Sequence, residues 1–147
     1  MTGVCTRPAT ATDLSAVLGL LAQLHPERPE MPDVEDARAA WSAMLEQPGR
    51  TVLVAEVDGA VRAVADVLVV PNLTHDAQPW AIVENVVVDE PVRGAGVGRF
   101  LMDAVVRTAR RAGAYKVQLM SADGREAHSF YEAIGFEARA RGFRRYL

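Results

Sequence analysis

Residues 80–111 constrain this chain more than any other stretch. They read as an apolar strand, Trp80-Ala81-Ile82-Val83-Glu84-Asn85-Val86-Val87-Val88, followed by the turn Asp89-Glu90-Pro91-Val92. The loop Arg93-Gly94-Ala95-Gly96-Val97-Gly98 comes next, and then a helix over about Val97–Ala112. Phe100, Leu101, Ala104, Val105 and Ala109, with Thr108, share one face of that helix, and Arg107, Arg110 and Arg111 suit its last turn. Gly113 is a helix-ending glycine. Glycines at 94, 96 and 98 leave backbone N–H groups uncovered and allow positive φ. A helix that begins there adds its own free N–H groups and the positive end of its dipole. Strand, loop and helix together predict a site for phosphate groups.

The rest of the chain bounds the class. At 147 residues it is expected to form one domain, residues 1–147. Half the residues are hydrophobic and the net charge is −3, an ordinary globular balance that argues against a dedicated nucleic-acid binder. The lone Cys5 excludes an internal disulfide and a cysteine-rich metal site. His25, His75 and His128 lack metal-ligand spacing, so no metal is expected. No leader or membrane-length apolar run stands out, which makes a cytoplasmic chain without membrane partners the expectation.

In chain order, residues 3–8 suggest a first strand. Thr12 or Asp13 offers an N-cap for a helix over Leu14–Leu24, with Leu14, Val17, Leu18, Leu21 and Leu24 on one face. Proline-rich Pro26–Asp33 is a loop, and Val34–Glu46 a second helix. Thr51–Val57 and Val61–Val70 make a hairpin about Asp58-Gly59, and Pro71–Pro79 is a polar loop. After the central strand and its helix, Tyr115–Met120 reads as a strand and Gly124–Ile134 as a short helix. Phe136–Leu147 reads as one or two final strands. The predicted fold is a mixed, mostly antiparallel α+β sheet of about six or seven strands flanked by about four helices.

The glycine loop lacks the Lys-Ser/Thr of a Walker loop, and neither register of Gly-x-Gly-x-x-Gly is satisfied, with Arg99 or Leu101 in the last glycine's place. It does fit Arg/Gln-x-x-Gly-x-Gly/Ala through Arg93, Gly96 and Gly98. About thirty residues on comes Phe130-Tyr131-Glu132-x-x-Gly135-Phe136. With these two motifs in this order, the chain resembles the GNAT superfamily of acyl-CoA-dependent N-acetyltransferases across nearly its whole length. The strand Ile82–Val88 looks most like members that acetylate small amines, amino-sugar phosphates among them. The resemblance implies acetyl-CoA as co-substrate. Its pyrophosphate would rest on the backbone of Arg93, Gly94, Ala95, Gly96, Val97, Gly98 and Arg99, and its pantetheine beside the main chain of Val86, Val87 and Val88. It also implies a proton donor to the departing thiolate, Tyr131, and a possible homodimer.

The chemistry explains why such residues are wanted. An alkyl ammonium has a pKa near 10 and must lose a proton before attacking a thioester, so a base is needed on the amine side. Glu84 interrupts an apolar strand, where a carboxylate needs a partner or a task, and is the candidate base; a structural ion pair is its plainer reading. Asn85 points to the opposite face and reads as structural. For Tyr131 the plainer reading is a core aromatic beside Phe130. Asp66 either lines the acceptor cavity or pairs with Arg62. His75 and His128 read as surface residues or acceptor contacts. Arg139, Arg141, Arg144 and Arg145 either attract an anionic substrate or protect a sheet edge. The sequence therefore predicts transfer of an acetyl group from acetyl-CoA to the primary amine of a small molecule, by direct attack in a ternary complex. The alternatives are a protein or peptide N-acetyltransferase and an acyl-CoA-binding module without turnover.

Overall fold

The structure is a computed structural model, which describes residues 3–26, 33–122 and 127–147. A five-stranded sheet in spatial order β1-β2-β3-β4-β5 forms its centre: β1 Val4–Pro8, β2 Arg50–Val57, β3 Ala60–Val70, β4 Trp80–Val88 and β5 Val117–Leu119. The first four strands are antiparallel neighbours, and β5 runs parallel to β4. The β2–β3 hairpin turns on Asp58 and Gly59, both at positive φ (51° and 78°), as a two-residue turn between twisted strands demands.

Helices α1 (Leu14–Leu21) and α2 (Val34–Glu46) cover one face, and α3 (Val97–Arg111) covers the other. Strand alternation sorts the side chains. Val52, Val54 and Val64 meet Val17, Leu20 and Trp41, whose indole N–H donates to the Thr10 carbonyl at 3.2 Å. Leu53, Ala55, Ala63, Ala65, Val67, Ala81 and Val83 meet Val97, Leu101, Met102 and Val105 of α3. A short helix, α4 (Ala127–Ala133), adds Phe130 and Tyr131 to this second layer, joined by Ile134 and Phe136 just beyond it.

Several sequence expectations change. The sheet has five strands rather than six or seven, because Phe136–Leu147 forms none. Only Phe136 of that segment packs on the core, and the three-residue β5 offers little edge to pair with. Helix α1 ends at Leu21, and the chain then tightens into three-residue turns, Gln23 N–H to Leu20 O and Leu24 N–H to Leu21 O, both at 3.0 Å. Asp13 does not cap α1; its carboxylate accepts the Thr10 N–H at 2.7 Å, across a short 3-10 turn. The polar loop before β4 contains one helix-like turn, Thr74–Ala77, with left-handed φ of 53°, 57° and 59° at His75, Asp76 and Ala77. The helix Val34–Glu46 and the strand Trp80–Val88 stand as read. Residues 27–32 of the predicted loop and 124–126 of the predicted last helix lie outside the described residues.

Candidate active site

Two irregularities in β4 shape the site. The first is a bulge. Val64 faces Val87 across the β3–β4 ladder and Asp66 faces Glu84, so β4 spends three steps where β3 spends two. The extra residue sits about Asn85, in the left-handed region at φ 55°, which asparagine tolerates better than most side chains. The bulge reverses the parity of the strand. Ala81 and Val83 pack under α3, yet Val87, four residues on from Val83, packs under α1 and α2. The second irregularity is a splay. Registered pairing with β5 covers Ala81–Val117, Ile82–Gln118 and Val83–Leu119, whereas β4 runs on to Val88. Beyond Val83, one edge of β4 lacks a strand neighbour among the described residues.

That free edge leads directly into the glycine loop. Gly94 and Gly96 have φ of 76° and 85°, and a Cβ on either would meet nothing within 4 Å. Helix α3 starts at Val97 with no side-chain cap, its first backbone bond running from Phe100 N–H to Gly96 O at 3.1 Å. The N–H groups of its first turn thus have no partner within the helix. Open space over the glycines, uncapped donors and the positive dipole end fit a diphosphate, and the free β4 edge fits an extended amide-bearing arm beside it. Gly98 serves another need: a Cβ there would lie 3.3 Å from both the Phe130 ring and Val88. The two sequence motifs therefore meet in space, since Phe130 closes on the loop's last glycine.

On the α1–α2 face, the lower parts of β2, β3 and β4 extend beyond the helical cover. Arg50, Asp66, Leu68, Ile82, Glu84 and Asn85 line a cleft of about 210 Å³ there. Glu84 is exposed, and lies opposite Asp66 in the ladder. Asp66 is buried and pairs with Arg50 rather than Arg62: Arg50 Nε donates to Oδ1 at 2.9 Å, and Nη2 donates to Oδ2. The Asp66 carboxylate holds the Arg50 guanidinium more firmly protonated than usual. Asp66 also lines the cleft, so both readings offered by the sequence meet in one residue, with a different arginine. Asn85 lines the cleft alongside Glu84, not the opposite face, because the bulge breaks strict alternation.

Tyr131 is half-buried between the rings of Phe130 (5.3 Å) and Phe136 (5.9 Å), on the α3 side of the sheet. His75 stacks on Tyr115 at 4.0 Å, and His128 is half-buried on α4. Among the described residues no cluster could hold a metal ion. The sequence reading missed Arg50, Gln23 and Asp89. Arg50 stands one residue before the strand read from the sequence, and Gln23 lies 66 residues before the Asp89 it contacts. The register of the β2–β3 hairpin could have exposed the first, and only the placement of α1 against the sheet the second.

A sequence model of the Acetyltransferase (GNAT) family matches residues 16–136. The chain belongs to that family. It is an acetyl-CoA-dependent N-acetyltransferase, an acyltransferase that takes its acetyl group from acetyl-CoA. It is similar to a glucosamine 6-phosphate N-acetyltransferase from Trypanosoma brucei brucei, 33% identical over 90% of this chain and 88% of that one. A glucosamine 6-phosphate N-acetyltransferase 1 from Oryza sativa subsp. japonica is 36% identical over 88% of this chain and 79% of that protein. A solved structure from Agrobacterium tumefaciens str. C58, proposed to be an acetyltransferase, is 41% identical with a TM-score of 0.91, covering 97% of this chain and 99% of that one.

Proposed function

We propose that this single-domain N-acetyltransferase acetylates the primary amine of a small phosphorylated amino sugar, by direct attack in a ternary complex with acetyl-CoA. The observation that carries this reading is the placement of Glu84, on the bulge between the free β4 edge and the cleft. A cleft of about 210 Å³ suits a sugar-sized acceptor better than a peptide. The two relatives named as glucosamine 6-phosphate N-acetyltransferases support the sugar phosphate. So does Arg144, whose guanidinium is held more firmly protonated by the Tyr146 hydroxyl and, more weakly, by the charge of Glu84. Arg144 thereby brings positive charge toward Glu84.

Acetyl-CoA supplies the acetyl group as a thioester. Arg93 through Arg99 hold its diphosphate on backbone N–H groups, and the main chain of Val86–Val88 aligns the arm that carries the thioester. Glu84 takes the proton from the ammonium, through a water, and leaves the amine lone pair free to attack. A strand N–H at the bulge, at Val87 or its neighbour, polarises the carbonyl. Tyr131 gives its hydroxyl proton to the departing thiolate as the C–S bond breaks, and the second proton, shed by the acylated nitrogen, returns through water to the tyrosinate. Positioning alone favours the reaction strongly, because two bound reactants meet without losing further freedom.

We read the chain as a cytoplasmic homodimer. Phe143 and Tyr146 are 90% and 84% exposed on a tail without a strand partner, and burial against a second copy would cover them. No helix among the described residues is long and apolar enough to cross a membrane.

The first test is the melting temperature with saturating acetyl-CoA, followed by thiol release with glucosamine 6-phosphate and with glucosamine. At ~100 times its dissociation constant the donor adds about 2.7 kcal/mol, a rise of very roughly 5–10 °C. Turnover with the phosphorylated sugar well above that with glucosamine is the expected result. Equal turnover of both removes the phosphate from the reading.

A further inference from the structure

The entrance to the glycine loop is tied to helix α1 by one side chain. Gln23, half-buried in the turn after α1, spans to residues 89–93 with three hydrogen bonds. Its Nε2 donates to Asp89 Oδ1 at 2.8 Å. Its Oε1 accepts from the Glu90 backbone N–H at 3.2 Å and from Arg93 Nη2 at 3.3 Å. Reversing the amide would set its oxygen against a carboxylate and its NH2 against two donors, so the partners fix its orientation. Asp89 is held from the other side as well: Arg62 Nη1 donates to Oδ2 at 2.7 Å, and the Asp89 N–H donates to the Arg62 carbonyl at 2.8 Å. The Gln23 amide, followed by Arg62, keeps the Asp89 carboxyl below the ordinary carboxylate range. Arg93 is anchored in turn by Nε to the Val88 carbonyl at 2.9 Å. The junction between β4 and the loop is therefore clamped to β3 and to α1, with Gln23 the only link to the helix among these bonds.

We propose that Gln23 is a positioning residue for the diphosphate end of the acyl donor. Its carbonyl oxygen orients Arg93 and the Glu90 backbone, and so sets the direction in which Gly94–Arg99 present their N–H groups. The role rests on the acetyl-CoA reading above. A loop of glycines has many conformations to lose on binding a ligand, and a preset entrance lowers that cost. Because Gln23 bonds to residues 89–93 and to none of Val86–Val88, its effect falls on the diphosphate end more than on the thioester arm.

The test compares dissociation constants of acetyl-CoA and of S-acetyl-pantetheine, which lacks the diphosphate, for wild type and Gln23→Met. Both ligands are titrated by thermal shift into the millimolar range. Methionine keeps the length of glutamine and removes all three hydrogen bonds. Acetyl-CoA binding is expected to weaken about 3–10-fold, the worth of about one net hydrogen bond. S-acetyl-pantetheine binding is expected to stay within a factor of two. The pair Gln23→Glu with Asp89→Asn exchanges acceptor and donor across the contact and is expected to restore most of the acetyl-CoA affinity. Unchanged acetyl-CoA binding in Gln23→Met, or equal weakening of both ligands, overturns the proposal while leaving the acetyl-CoA reading intact. Wild type that binds no acetyl-CoA overturns both.

Discussion

At the scale of single residues, the site depends on where a side chain sits relative to the bulge. Glu84 stands out in the sequence because a carboxylate interrupts an apolar strand, and Tyr131 because of the motif around it. The roles proposed for them lead to separate expectations. Tyr131→Phe should lower turnover by about 10²-fold or more while leaving acetyl-CoA affinity unchanged, read from kcat and from a binding titration. Glu84→Gln should lose most activity where the acceptor is protonated and recover toward the amine's own pKa. A loss equal at every pH would assign Glu84 a structural role. Gly96→Ala should cost about 1 kcal/mol, since it forces φ near 85° on a residue with a Cβ, and should also weaken acetyl-CoA binding. The bulge was implied near Val87 by the family resemblance alone, and its place at Asn85 was not legible. Nothing in Glu84-Asn85-Val86 marks an extra residue, because a bulge is a property of two paired strands.

Among the elements, β4 and α3 were read almost to the residue, since an apolar run and a strong amphipathic period are local signals. The start of α1 at Leu14 was read as well, but its end at Leu21 and the bonding of Asp13 were not. Asp13 stands just before the helix, and its side chain belongs to a network that joins β1 and β2: Arg7 donates to Asp13 at 2.8 and 3.0 Å, and to Glu56 at 2.5 and 2.9 Å. These bonds, with the Thr10 N–H, hold the buried Asp13 carboxyl down from 3.8 to about 2, the Arg7 hydrogen bonds first among the causes. A carboxylate with a depressed pKa stabilises the fold above its unfolded pKa and loses that contribution as pH falls through the folded value. The contribution should therefore be complete above pH ~4 and vanish toward pH ~2, and is worth about 1–2 kcal/mol. Asp13→Asn should lower stability at pH 7 by that order and flatten the acid limb of the unfolding midpoint, measured by urea titration across pH.

Across the whole molecule, the C-terminal residues stand apart. Phe136 is built into the core, but residues 137–147 are exposed. The tail nevertheless passes the site: a Cβ on Gly142 would lie 2.9 Å from Met120 Sδ at the end of β5, and Arg144 feels the charge of Glu84. On the proposed dimer, deleting residues 137–147 should give a monomer by sedimentation, and it should raise KM for a phosphorylated acceptor more than for acetyl-CoA. The sequence by itself determined the elements about the glycine loop and the kind of donor that they suit. Those rest on local periodicity, on glycine's backbone freedom and on two motifs in order. Only the tertiary structure decided that β4 bulges at Asn85, that Arg50 takes the carboxylate of Asp66, and that Gln23 clamps the loop. Each of these joins residues far apart in the chain, and such contacts come from strand register and helix placement rather than from neighbours in sequence.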